Sequence, residues 1–217
     1  MPQVNTQAET FTWPKLSEAP ERPGVYAWYV RLALGEADLG EFEQAVEAKR
    51  QAGGNPAPIV QETLEQHFFH PFQETAYSVK LSGALKPKYV GELLHQPAPS
   101  EGLIERLSND PARLRPIANV LGAAAPFFTA PLYIGMARNL RARLAQHKAG
   151  IESFADNPAA AAGNDKISGF AQQIVQRGFN PRRLFVVCIP VGDVDSDEQL
   201  DLENILNRIN FPIFGRN

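Results

Sequence analysis

The chain has 217 residues, a formal net charge of −3, 44% hydrophobic residues and 21% charged residues, an ordinary composition for one globular domain with room for a large elaboration. The single cysteine, Cys188, excludes a disulfide framework and a cysteine zinc site. The N-terminus lacks the pattern of a signal peptide and no apolar run is long enough to span a membrane, so we expect a cytoplasmic protein without a membrane partner.

The first half of the chain begins with a polar stretch at residues 1–22, which predicts an extended arm. Aromatic and β-branched residues after Pro23-Gly24 predict a strand within 22–30. The following elements are predicted from composition, spacing and turn residues: helices at 36–52 and 59–72, a hairpin around residues 83–87, and a helix at 101–122 that is interrupted near Asp110-Pro111.

The second half alternates strands with helices. "APFFTAPLYIG" predicts a strand that ends at Gly135, and a basic helix is expected at 139–149. A helix around residues 166–179 follows, and the apolar run "RLFVVCIPV" predicts a buried central strand. The last helix is expected to bury one stripe, formed by Leu202, Ile205, Leu206 and Ile209.

Positive charge is concentrated behind the strand that ends at Gly135. Residues 131–183 hold eight lysines and arginines against three acidic residues, although the whole chain is slightly acidic. Arg143 and His147 are four residues apart and share a helix face, where a guanidinium and an imidazole can bind a phosphate together. The alternative is a solvated helix face beside a partly buried tyrosine.

Five elements recur in chain order: "GVY" at 24–26, "YIG" at 133–135, Arg143 and His147 ten and fourteen residues after Tyr133, and Glu203 nine residues before Pro212. Together they resemble the GIY-YIG nuclease family. The resemblance covers residues 22–30 and 131–217. It leaves "YVG" at 89–91 aside, because no basic helix follows Tyr89, and assigns that residue to an ordinary strand.

The resemblance implies an α+β fold in which helices flank a small three-stranded antiparallel sheet. The chain would form one nuclease domain over 1–217, with a mixed α/β insertion at 31–130 between the two tyrosine motifs. The implied activity is metal-dependent hydrolysis of DNA phosphodiester bonds, in a restriction, defence or mobile-element setting. Alternatives are a structure-specific repair or recombination nuclease, and a nucleic-acid-binding module that kept the fold and lost catalysis.

The resemblance also implies a role for each matching residue. Tyr133 would be the general base or orient the attacking water, and Tyr26 would help to position that water. Arg143 would bind the scissile phosphate, His147 would assist in proton transfer or phosphate binding, and Glu203 would hold one Mg²⁺ or Mn²⁺. Many relatives carry a lysine where this chain has Met136, and Arg138 would substitute for it in contacting the substrate. Further substrate contacts are expected from Lys148 and Asn217.

The insertion at 31–130 contains predicted helices and a hairpin, so we expect it to fold by itself and to influence substrate choice. It is not strongly basic as a whole. The first candidates for reading DNA are Lys80, Lys86 and Lys88 on the predicted hairpin. The alternatives are a protein interface, such as the contact of a homodimer, and a purely stabilising decoration.

Overall fold

The computed structural model describes residues 7–74, 76–81, 89–157, 169–191 and 196–215. The fold is mixed α+β, with a four-stranded antiparallel sheet and a separate two-stranded hairpin. The chain divides into two compact units: residues 1–31 with 122–217, which we call the sheet unit, and residues 32–121, which we call the hairpin unit. The hairpin unit lies within the insertion predicted at 31–130.

The strands are β1 (Glu9–Thr12), β2 (Gly24–Val30), β3 (Tyr77–Leu81), β4 (Tyr89–Leu93), β5 (Tyr133–Ala137) and β6 (Leu184–Pro190). The α-helices of the described residues are α1 (Glu36–Gln51), α2 (Ala57–Leu64), α3 (Glu101–Asn109), α4 (Leu114–Phe128), α5 (Leu140–Asp156), α6 (Phe170–Gln176) and α7 (Ser196–Asn210). The predicted helix at 59–72 is only α-helical to Leu64, after which a π-helical turn and a 3-10 turn carry the chain to Phe72. Within the described residues, no helix is long and apolar enough to cross a membrane.

The four strands of the sheet unit lie in the order β1-β6-β2-β5, and all neighbouring strands are antiparallel. The sheet therefore has one strand more than the three that the resemblance implies. β6 lies between β1 and β2, which confirms the predicted central strand, and Cys188 on it is fully buried, as expected for a small core residue.

The prediction of an N-terminal arm was wrong, because part of this segment forms the fourth strand of the sheet. Residues 9–12 pair with β6, and residues 13–18 form a 3-10 helix. The physical reason is a set of apolar side chains spaced among polar ones, which the sheet unit buries: Phe11, Trp13, Leu16 and Ala19. Burial of these side chains favours a packed segment over an extended arm.

The stretch "APFFTAPLYIG" was predicted as a strand, but its first four residues are helical and only its last three lie in β5. Helix α4 continues through Phe128, and β5 begins only at Tyr133. Three consecutive alanines at 123–125 favour continuation of the helix. Only the residues from Tyr133 onward pair with β2, so the partner strand determines where β5 begins.

Helix α7 packs against β5, but it buries less of its predicted stripe than expected. Leu202 and Leu206 are half-buried, whereas Ile205 and Ile209 are exposed. The prediction of a buried stripe was therefore wrong for these two isoleucines. Helical periodicity indicates which residues share a face, but it does not tell how much of that face a neighbouring element covers.

The hairpin unit contains α1, α2, α3, the first half of α4 as far as Leu121, and the β3–β4 hairpin. Its buried side chains are mainly apolar residues of the helices, among them Leu39, Phe42, Val46, Val60, Leu64 and Leu107. The hairpin was predicted, and Tyr77 opposes Leu93 in its register. Tyr89 lies in β4, in agreement with its assignment to an ordinary strand, and Lys80 is exposed on β3. Lys86 and Lys88 lie outside the described residues.

Candidate active site

The two tyrosines of the predicted motifs lie on the same face of the sheet. In the β2–β5 register Tyr26 opposes Gly135 and Trp28 opposes Tyr133, and alternate residues of a strand point to one face. Helix α5 begins after Asn139, whose side chain accepts a hydrogen bond from the backbone of Ala142 and caps the helix. The helix places His147 over this face, with its ring centroid 5.6 Å from that of Tyr26 and 5.7 Å from that of Tyr133.

A hydrogen-bond network joins three of the predicted residues. The Nε of Arg143 donates to the hydroxyl oxygen of Tyr26 at 3.3 Å, and the same hydroxyl lies 2.9 Å from Nε2 of His147. Because a guanidinium only donates, the phenol accepts from Arg143 and its own proton is available to His147. When Nε2 accepts from this phenol, the histidine proton is on Nδ1.

Burial keeps both central groups of this network neutral. Tyr26 is only 1% exposed, and burial raises the pKa of its phenol above the usual range, with Tyr133 and Glu203 acting in the same direction. Burial and the positive charge of Arg143 lower the pKa of His147 to about 4. At neutral pH the pair is therefore a protonated phenol hydrogen-bonded to an uncharged imidazole.

Arg143 is fixed by the network at one end and reaches solvent at the other. Its hydrogen bond to Tyr26 raises the pKa of the guanidinium above its usual value, and Tyr133 contributes in the same direction. The residue is exposed as a whole, and its Nη1 donates to Gln146 at 3.2 Å. A permanently charged fork is thus held beside two phenols with donors that an incoming anion can use.

Gly135 makes room for both tyrosines. A Cβ atom at this position would lie 2.6 Å from the hydroxyl oxygen of Tyr26, 2.8 Å from its Cζ, and 2.9 Å from Cε1 of Tyr133. Both rings would have to shift to admit a methyl group. The glycine of the "YIG" motif therefore has a steric reason that does not depend on backbone conformation.

We expect Gly135→Ala to destabilise the protein by about 1–3 kcal/mol, the usual cost of overpacking a well-packed site. The measurement is the free energy of unfolding by denaturant titration. Gly40→Ala is the control, because a Cβ at Gly40 has no neighbour within 4 Å and alanine favours the surrounding helix. A Gly135→Ala protein as stable as the wild type would show that the two rings do not approach this closely.

Phe170, on the helix predicted around residues 166–179, is an aromatic residue that completes the site. The Phe170 ring lies 5.2 Å from the rings of both Tyr133 and His147, and 5.3 Å from that of Trp28. These rings exclude water from one side of the imidazole, which explains its low pKa. The only signal in the sequence was the apolar face of the helix that carries Phe170, and such a face is also typical of an ordinary core.

Glu203 lies on the half-buried side of α7, and its carboxylate is close enough for its charge to contribute to the raised pKa of Tyr26. No described residue forms a salt bridge with this carboxylate. The described residues also contain no group of three His, Cys, Asp or Glu side chains arranged for a metal ion. A hard divalent cation that keeps most of its waters needs few protein ligands, so the residues present fit Mg²⁺ or Mn²⁺ held by one carboxylate.

Comparisons with family models, with curated proteins and with solved structures found no match. The relation to GIY-YIG nucleases therefore stays an interpretation of the motif residues and of the geometry described above.

The remaining residues predicted to contact the substrate lie in several parts of the chain. Arg138 is exposed directly after β5. Lys148 is 4.0 Å from Glu152, and its ammonium lies over the Trp13 ring rather than over the tyrosines. Arg141 is turned to the N-terminal segment, where it binds Glu21 and donates to the carbonyl of Ala19. Asn217 lies outside the described residues, and Lys80 belongs to the hairpin unit.

Proposed function

We propose that this protein is an endonuclease of the GIY-YIG type that hydrolyses DNA phosphodiester bonds with the help of a divalent metal ion. The observation that carries the proposal is the Tyr26–His147–Arg143 network beside Tyr133. Residues far apart in the chain converge there on one sheet face, and each of them was selected beforehand by its match to the family motif.

The network supports binding of a phosphate by Arg143. Phosphodiester hydrolysis places negative charge on the equatorial oxygens, and a guanidinium held rigidly beside them stabilises that charge without reorganising. Tyr26 supplies the rigidity because its hydroxyl accepts from Nε of Arg143 and is itself held by His147. In this proposal Tyr26 and His147 position Arg143, in addition to any part in moving protons.

The exposure of the two phenols supports different roles for them. Tyr26 is buried and bonded within the protein, whereas Tyr133 is only half-buried. Tyr133 is therefore the phenol with access to a solvent molecule, and we assign it the orientation or deprotonation of the attacking water. A role as base requires nearby positive charge, which Arg143 would supply.

Glu203 would hold the Mg²⁺ or Mn²⁺ ion, which when bound supplies Lewis-acid stabilisation of the reacting phosphate. The carboxylate is suited to this because no described residue neutralises it and it lies close to Tyr26. Its charge would otherwise repel a phosphate at the same place, so a cation is needed for substrate to bind beside Glu203.

The hairpin unit would select the substrate, with Lys80, Lys86 and Lys88 as the first residues to contact DNA. Exposure of Lys80 on β3 supports this role for that residue. A restriction, defence or mobile-element setting remains our preferred one, with a structure-specific repair or recombination nuclease and a silent nucleic-acid-binding module as the alternatives.

The test is incubation of the purified protein with supercoiled plasmid, single strands and branched DNA, each with Mg²⁺ and with a chelator. Cleavage of plasmid that needs the metal is the expected result. Preference for branched DNA would favour the structure-specific alternative, and binding without cleavage of any substrate would favour the silent module. No binding and no cleavage under any condition would contradict a nucleic-acid function.

We expect Tyr133→Phe to reduce cleavage to background, because it removes the one phenolic oxygen that can reach the attacking water and leaves the ring packing on Phe170 intact. Rates are measured on plasmid in Mg²⁺. Tyr29→Phe is the matched control. Tyr29 also lies on β2, but on the opposite face of the sheet from Tyr26 and Trp28, where its ring stacks on Phe185. An active Tyr133→Phe protein would move the base role to Tyr26 or His147.

A further inference from the structure

Phe170 belongs to none of the motif elements, yet its ring contacts two of the residues in the candidate site. The ring centroid lies 5.2 Å from those of Tyr133 and His147. Trp28 and Phe214 also pack on it, at 5.3 Å and 6.2 Å. A hydrocarbon ring cannot hold a metal ion or move a proton, so any contribution of Phe170 to the site has to pass through the groups that it touches.

The packing of α5 against α6 fixes the position of Phe170. A Cβ atom at Gly150 of α5 would lie 3.2 Å from the Cβ of Ala171, the residue that follows Phe170. The two helices therefore approach closely beside the ring. Ile174 lies one helical turn after Phe170 and is fully buried, which holds the same face of α6 in the core. The ring is thus placed by a pair of packed helices.

A second part of the chain supports the same ring. Phe214, which follows α7, packs on Phe170, and its backbone N–H donates to the carbonyl of Leu132 at 2.8 Å. Leu132 directly precedes Tyr133, so this hydrogen bond ties the supporting segment to the start of β5. Phe170 is therefore held by contacts from α5 and from the segment beside β5.

Tyr133 depends on ring contacts for its orientation, because it is only half-buried. Three rings pack on it: Phe170 at 5.2 Å, His147 at 5.7 Å and Tyr26 at 6.1 Å. Phe170 is the nearest of the three. Two aromatic rings prefer particular mutual arrangements, which an aliphatic side chain does not impose. Loss of the Phe170 ring would therefore leave the Tyr133 phenol less well oriented.

The same ring covers one side of the His147 imidazole. The planes of the two rings are 87° apart, which is an edge-to-face contact. His147 is buried, and loss of this aromatic cover would admit water, which favours the charged imidazole. A charged imidazole only donates hydrogen bonds, so its Nε2 could no longer accept from the hydroxyl of Tyr26.

We propose that Phe170 is a positioning residue of the candidate site, which holds the Tyr133 phenol and the His147 imidazole in the arrangement that phosphodiester hydrolysis needs. The proposal rests on the proposed nuclease function. It differs from an ordinary core role, in which loss of the ring would lower stability but leave the folded protein equally active.

The first test compares Phe170→Leu with Phe185→Leu. Both changes replace a buried aromatic ring of the sheet unit by an apolar side chain, but Phe185 stacks on Tyr29 on the opposite face of the sheet. The single-turnover rate of plasmid cleavage should fall about tenfold to a hundredfold in Phe170→Leu, the order expected when reacting groups are misplaced by about 1 Å. Phe185→Leu should keep the wild-type rate, and DNA affinity should stay within about twofold of the wild type in both.

Denaturant titration establishes that both variants are folded. Phe170→Met takes the place of Phe170→Leu if the leucine variant does not fold, because methionine fills irregular gaps in a core and also lacks the ring.

Histidine NMR signals give a readout that does not depend on cleavage. The signal of His147 is identified among the four histidines by its loss in His147→Gln. From pH 8 to 5 this signal should hardly move in the wild type and in Phe185→Leu, because the pKa of His147 is about 4. In Phe170→Leu the pKa should rise above about 5, towards the value of about 6.5 for an exposed histidine. The titratable and charged groups beside the imidazole, Tyr26, Tyr133 and Arg143, are the same in these three proteins.

The proposal is overturned if Phe170→Leu keeps either the wild-type rate or the wild-type titration of His147. Equal losses of rate in Phe170→Leu and Phe185→Leu also overturn it, because they would reflect general destabilisation. A wild type that cuts no DNA contradicts the nuclease function and, with it, a role of Phe170 in cleavage. A wild type that cuts DNA no faster than Phe170→Leu contradicts the role of Phe170 alone.

Discussion

Glu203→Gln is expected to remove metal-dependent cleavage while leaving the fold intact. The change keeps the size of the side chain and removes only the charge that would hold the cation, and a neutral amide oxygen is a much weaker ligand for Mg²⁺ than a carboxylate. Loss of the ion removes a term of several kcal/mol of transition-state stabilisation, so we expect at least about a thousandfold loss of rate. Plasmid cleavage in Mg²⁺ measures the rate, and circular dichroism checks the fold.

Asp201→Asn is the matched control for Glu203→Gln. Asp201 lies on the same helix and is exposed, so the two variants lose the same charge and differ in position. DNA binding without metal should be retained in both. Cleavage by Glu203→Gln within tenfold of the wild type would refute the assignment of Glu203 as the metal ligand.

Arg143→Ala is expected to reduce the rate by about a hundredfold to a thousandfold, the order observed when one preorganised donor to a developing negative charge is lost. The variant also removes the donor to the Tyr26 hydroxyl, so the buried phenol keeps only His147 as its partner. The measurement is the single-turnover rate of plasmid cleavage at saturating protein, which separates the chemical step from DNA binding.

Arg141→Ala is the control for Arg143→Ala: it removes the same positive charge from α5 at a position that does not face the tyrosines. Arg141 is on the same helix, but its guanidinium binds Glu21 and the carbonyl of Ala19, away from the tyrosines. We expect its loss to affect stability more than rate. Equal losses of rate in the two variants would mean that α5 acts only as a positive surface. Arg143→Lys should recover little, because lysine lacks the planar fork that reaches Tyr26 and a phosphate together.

Because both groups are neutral, the Tyr26–His147 pair would hold the proposed site in place in the free protein. A histidine with a pKa of about 4 is not a proton store at neutral pH, so its contribution in the free protein is to accept from Tyr26 and hold the phenol in place. A phosphate and a cation beside Arg143 would change the local charge, which is the condition under which a proton transfer through this pair becomes accessible. The aromatic rings around His147, with Phe170 nearest, help to bury the pair.

Local sequence determined several features of this protein by itself. The apolar and β-branched runs of β2 and β6, the β3–β4 hairpin, and the helix over Glu36–Gln51 follow from patterns within single segments, where composition and turn residues decide the structure. The residues of the candidate site were also identifiable, because Tyr26, Tyr133, Arg143, His147 and Glu203 match a motif in both type and order. Arg143 and His147 suit a phosphate by their chemistry, whereas the carboxylate of Glu203 suits a cation.

Tertiary structure decided the rest, because those features depend on partners far away in the chain. Residues 9–12 form a strand because they pair with the edge of β6. Helix α4 extends to Phe128, and β5 begins only where its residues pair with β2. Helix α7 buries only part of its apolar stripe against the sheet. The low pKa of His147 comes from burial against Phe170, and the need for glycine at 135 comes from two rings brought there by the β2–β5 register. Periodicity and propensity report on neighbours along the chain, whereas burial, pairing and close approach are properties of neighbours in space.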